Sequence, residues 1–161
     1  MSQFVRGAAL FFCAMLAHWW WTTHLSVAGL APQLLLVLTV ITAARRGPIR
    51  AMCLGFVWGL FLDVMSARLF GANALALTLV GYGTGSVRRQ IDVTGLAPQC
   101  LVVFGMTWAY FVLLGLIGLV FLKTFLWVGW PSFVVDPFYN CVVGAAVFVI
   151  WSPWAEHYHR T

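Results

Sequence analysis

Residues able to do chemistry are few in this chain. Four carboxylates, four histidines and four cysteines are spread over 161 residues. No nucleophile stands beside a base, no two carboxylates are placed for acid–base work, and no glycine loop followed by lysine is present to cradle a phosphate. Residues 81–85 read Gly-Tyr-Gly-Thr-Gly, but no strand precedes them and no dinucleotide-binding pattern follows. Cys13, Cys53, Cys100 and Cys141 each lie alone in an apolar stretch, which predicts buried, inert thiols rather than a metal or redox pair. His18 and His24 flank a tryptophan cluster, and His157 and His159 belong to the C-terminal tail. None has a ligand partner at metal spacing. The expectation is no catalytic residue, no metal and no cofactor.

The elements that carry these residues are dictated by composition. The chain is 63% apolar, 16% aromatic and only 8% charged, whereas a water-soluble domain is about 25% charged. So short a chain cannot bury that much apolar surface in itself, so lipid must be its solvent. At roughly 20 residues per helix, six spans would use about 120 residues and leave no room for a soluble domain. The net charge of +5 sits in isolated twos and threes, which reads as membrane topology rather than as a nucleic-acid surface.

The predicted fold is an all-α integral membrane protein, a single domain over residues 1–161. Its six spans are placed near 4–21, 33–44, 49–66, 71–87, 98–122 and 134–151. The first is expected to be a retained helix, since no small-residue cleavage site follows Arg6 and its apolar run. The second is short for a span. With both termini in the cytoplasm, Arg6, Arg45, Arg46, Arg50, Arg88, Arg89 and Arg160 lie inside, and only Arg68 and Lys123 lie outside. That matches the positive-inside rule, whereas five spans would split the basic runs between the two sides.

Small residues mark where membrane helices approach each other. On the third segment Gly55, Gly59, Asp63 and Ser66 share about 80° of arc, and on the fourth Gly71, Ala74, Thr78, Gly81 and Gly85 form a similar stripe. These faces are predicted to pack together. Asp63 reads as the one carboxylate in or near a span. It is placed close to the outer surface, paired with Arg68 or with the first amides of the fourth helix near Asn73. Asn140 and Gly144 mark a further packing face, and Trp127 and Trp130 belong to an outer stretch expected to lie along the interface.

The run Arg45-Arg46-Gly47-Pro48, then GFVWGLFLDVMS from Gly55 to Ser66, then Gly71-Ala72-Asn73-Ala74-Leu75 and a glycine-rich helix ending in Arg88-Arg89 resembles the MreD family of rod shape-determining proteins. The likeness is specific over 32–89 and general elsewhere. It departs at Gln33, where the family often carries an acidic residue after the proline. The resemblance implies a non-enzymatic scaffold in the bacterial inner membrane, working in the cell-elongation machinery that builds lateral-wall peptidoglycan. Its implied partners are MreC, and directly or indirectly MreB, RodA and a class B penicillin-binding protein, together with membrane lipid. It also implies a six-helix fold like that of the substrate-binding S components of energy-coupling factor transporters, which supplies an alternative function in small-molecule uptake. Against that alternative, Ala8, Ala9, Ala14 and Ala17 lack the A-x-x-x-A spacing those subunits use for docking. In the scaffold reading Gly55, Gly59, Gly81 and Gly85 fix a rigid core, and Asp63, Arg68 and Asn73 hold its outer end. Trp127 and Trp130 then serve as contacts for MreC. Asp63→Ala is expected to weaken partner capture more than it lowers protein level.

Overall fold

In lipid every backbone N–H and C=O must be satisfied within the chain, which leaves the helix as the solution for long apolar runs. The computed structural model describes residues 12, 13, 15–20, 23, 33–66, 69–88 and 95–157, with 150–157 described by backbone alone. All regular structure among the described residues is helical. The helices are α1 (Leu34–Arg46), α2 (Pro48–Met65), α3 (Ala72–Val87), α4 (Leu96–Leu122) and α5 (Trp130–His157). Residues 15–20 of the first apolar segment are helical as well. Among the described residues, three helices are long and apolar enough to cross a membrane: α2, α4, and Trp130–Val149 of α5.

The shortest of these five numbered helices is the central one. α1 has 13 residues, about 20 Å at 1.5 Å per residue, against roughly 30 Å of hydrocarbon. It is apolar on nearly every side, as a helix enclosed by others must be. Leu35, Val37, Thr39, Val40 and Ala43 have no exposed surface, and α1 packs on each of α2 to α5. The Thr39 hydroxyl donates to the Leu35 carbonyl at 2.8 Å, so it needs no outside partner.

α1 and α2 are joined by one residue. Gly47 sits at φ 90°, ψ 173°, a region open in practice only to glycine. Its N–H donates to the Ala43 carbonyl at 3.1 Å, and Pro48 starts α2 with φ already set for a helix.

α2 and α3 then run antiparallel at backbone contact. A Cβ added to Gly55 would lie 2.6 Å from the Leu77 carbonyl oxygen, one on Gly81 3.0 Å from the Ala51 carbonyl, and one on Gly85 2.5 Å from the Pro48 Cα. One on Gly59 would overlap the backbone of Asn73 and Ala74. Four levels of contact thus rise at three- and four-residue steps along both helices, the ridge spacing of close helix packing. Ala74 is buried in this seam, and the Thr78 hydroxyl bonds back to the Ala74 carbonyl at 2.6 Å. Gly71 departs from the expected packing stripe. It lies before α3 at φ 94°, and a Cβ there would meet nothing within 4 Å. Its job is the left-handed turn rather than helix contact.

α5 returns along α4. Phe104 packs against Trp108 and Phe138, with ring centroids 4.9 and 5.1 Å apart, and the Trp108 indole N–H donates to the Phe133 carbonyl at 3.0 Å. Between the two helices, Lys123 turns the chain at φ 56° and the next residues fold back on α4. The Phe125 ring fills the space a Cβ on Gly115 would need, and Leu126 does the same at Gly118. The cysteines correct an expectation. All four are free thiols, but Cys13 and Cys53 are exposed and only Cys100 and Cys141 are partly covered. An apolar run does not say whether protein or lipid surrounds a side chain, because both are apolar.

Candidate functional site

α3 begins with amides that have no partner inside the helix. Asp63, near the end of α2, meets them. The Asn73 backbone N–H and side-chain amide both donate to Asp63 Oδ1 at 2.9 Å, and the Ala74 N–H donates to Oδ2 at 3.0 Å. The Tyr110 hydroxyl of α4 completes the chain by donating to Asn73 Oδ1 at 2.5 Å. Three helices are thereby tied at one point. The carboxylate is 2% exposed, and its charge faces the positive end of the α3 dipole. Arg68, the expected partner, lies outside the described residues, as does His24.

A cavity of about 310 Å³ opens beside this cluster, between the N-terminal end of α1 and the α2–α3 corner. Its polar lining is His18, Gln33, Ser66, Asn73 and Tyr110, and leucines supply much of the rest. His18 Nδ1 and Gln33 Oε1 are buried there without a hydrogen-bond partner. The backbone of Gln33 is anchored, because its N–H donates to Asn140 Oδ1 at 2.9 Å. Asn140 in turn donates to Thr107 Oγ1 at 3.2 Å. Asn140, with no exposed surface, therefore links α1, α4 and α5. Gly144, one turn on, lies beside Val103 and Val37.

The structure corrects the reading of Asp63 as the one carboxylate in or near a span. Asp136 is also buried, at 5% exposure, and its Oδ1 has no hydrogen-bond partner. A signal was available in the sequence: Asp136 and Asn140 stand at i and i+4, on one helix face. The two carboxylates should respond oppositely to neutral replacement. Asp136→Asn removes a buried charge that lacks full pairing, so thermal stability in mild detergent should stay level or rise by up to about 1 kcal/mol. A fall as deep as that of Asp63→Asn would contradict this assignment.

Trp127 and Trp130 enter an aromatic cluster on the same side of the bundle. Their rings meet edge to face at 5.1 Å, and Trp127 stacks on Phe133 at 5.3 Å. Trp127 is 43% exposed in this packing, and Trp130 is 71% exposed. Among the described residues, no group of three or more His, Cys, Asp or Glu converges on a metal position.

Compared with known families, residues 1–160 match the family described as rod shape-determining protein MreD. No curated protein matches the chain, and no solved structure does.

Proposed function

The chain belongs to the MreD family of rod shape-determining proteins, and from that premise we propose that it is a non-enzymatic scaffold of the cell-elongation complex in the bacterial inner membrane. It captures MreC and, through MreC or directly, supports MreB, RodA and a class B penicillin-binding protein in lateral peptidoglycan synthesis. The topology proposed with this is six spans with both termini cytoplasmic. The observation that carries the reading is the family match along nearly the whole chain. A stiff bundle beside an outward aromatic cluster supports it. The α2–α3 seam fixes the shape, the Asp63–Asn73–Tyr110 cluster holds one end, and Trp130 projects from it.

Co-purification from native membranes in mild detergent, with mass spectrometry of protein and small-molecule fractions, tests the proposal. Recovery of MreC is the expected result. An aromatic anchor at the centre of an interface commonly contributes 2 kcal/mol or more, as an order of magnitude. Trp130→Ala should therefore lower MreC recovery on the order of tenfold while leaving protein level unchanged, since so exposed a side chain holds little of the bundle together. Undiminished recovery would remove Trp130 from the interface.

The cavity beside Asn73 favours one second reading, a small-molecule subunit resembling the S components of energy-coupling factor transporters. Its volume, about 310 Å³, lies at the lower end of ligand pockets, and His18 and Gln33 present unpartnered polar atoms. Recovery of a transport ATPase module or of a stoichiometric small molecule would replace the scaffold by this reading.

A further inference from the structure

At the end of the bundle opposite Asp63, the α1–α2 corner and the end of α3 enclose a cleft of about 600 Å³ lined by Arg45, Arg46, Arg50 and Arg88. None of its described lining residues is acidic. Four guanidinium groups around one concavity repel each other, and a bound anion offsets that repulsion. Arg45 is held in place by the Phe148 ring, whose centroid is 5.0 Å from its guanidinium carbon. Arg46, Arg50 and Arg88 are exposed. The first turn of α2 opens here too, and Gly47 offers it no side-chain cap.

The surroundings say what kind of anion fits. Ile49, in the wall of the cleft, is 75% exposed. Cys53, Phe56, Val57 and Val64 are exposed farther along α2. At 100° per residue these five share about 100° of arc, so an apolar strip leads from the arginines along the outside of the helix. A soluble phosphate would use the charge and leave the strip unused. We infer that the cleft holds the phosphate headgroup of an anionic phospholipid, with an acyl chain along the Ile49–Val64 face of α2. Basic pockets beside membrane helices recognise lipid phosphates in this way. The inference stands apart from the scaffold reading, since it needs neither MreC nor any other protein.

Native mass spectrometry of the full chain tests it, using phosphatidylglycerol and phosphatidylcholine of equal acyl chains offered together. The wild-type protein should retain phosphatidylglycerol preferentially. Each arginine removed should lower that retention about fivefold, so Arg46→Gln, Arg50→Gln and Arg88→Gln combined should lower it on the order of 100-fold. The corresponding triple lysine variant should keep most of it, which separates loss of charge from loss of fold. Arg88→Gln alone, at the exposed end of α3, provides a milder test with a fivefold expectation if the triple glutamine variant does not fold. Equal retention of the two lipids by the wild type would overturn the inference, and so would undiminished retention in the glutamine variants. Displacement of phosphatidylglycerol by inorganic phosphate would assign the cleft to a soluble phosphate compound and overturn the lipid.

Discussion

Gly59→Leu should leave little folded protein in the membrane. A single Cβ at this position already overlaps the backbone of Asn73 and Ala74, and backbone cannot turn aside as a side chain can. The two helices would have to move apart along the whole seam, loosening the contacts at Gly55, Gly81 and Gly85 together. Overpacking a core costs about 1–3 kcal/mol where side chains can yield, so the cost here should exceed about 3 kcal/mol. Membrane level and thermal denaturation in mild detergent are the readouts, and Gly59→Ala should show the same defect in weaker form. Gly105→Leu is the matched control. A Cβ on that α4 glycine meets nothing within 4 Å, so it should leave stability unchanged or raise it slightly through better helix propensity. Equal behaviour of the two leucine variants would refute the backbone-contact account of the seam.

Asp63→Ala should be the next most severe change, at on the order of 3 kcal/mol. It strips three donors of their acceptor: the Asn73 and Ala74 backbone N–H groups and the Asn73 side-chain amide. Hydrogen bonds to charged groups contribute about 1.5–3 kcal/mol each, and a buried donor left unpaired carries its own penalty of about 1–3 kcal/mol. Asp63→Asn restores one acceptor but turns an N–H₂ group toward a backbone donor, so it should recover part of the loss at most. From the sequence alone, Asp63→Ala is expected to weaken partner capture more than protein level. With the carboxylate buried, the opposite order is expected, because an inward-facing group acts first on the bundle. MreC recovery should fall only in step with folded protein. A full level of folded protein combined with lost recovery would return Asp63 to a direct role in binding.

Asp63 also shows where sequence reasoning reaches and where it stops. Its place at the end of one helix, beside the first amides of the next near Asn73, is a matter of spacing along the chain and can be read there. The contribution of Tyr110 is different, since it stands 37 residues from Asn73 and nothing local brings them together. From the sequence Trp127 and Trp130 are expected as interfacial aromatics, but the packing of Phe125 and Leu126 against Gly115 and Gly118 depends on the chain doubling back after Lys123. Asp136 was hidden for another reason. Its residue type suggests a surface loop, while its helix phase with Asn140 suggests the interior, and only packing against the other helices decides between them.

The solvent, the helical class and the family likeness all follow from residue types and their order along the chain. Apolar runs with almost no charge leave lipid as the solvent and the helix as the only open-ended fold that satisfies its own backbone there. Tertiary structure alone decided that the short α1 is the buried centre, that Gly71 turns the chain rather than packing, and that Cys13 and Cys53 face outward. It also decided that Asp136 lies inside. The physical reason is the same in each case. Hydropathy separates water from everything else, but lipid and protein interior are both apolar, so which face of a helix meets which is settled only by the shapes that the helices present to one another.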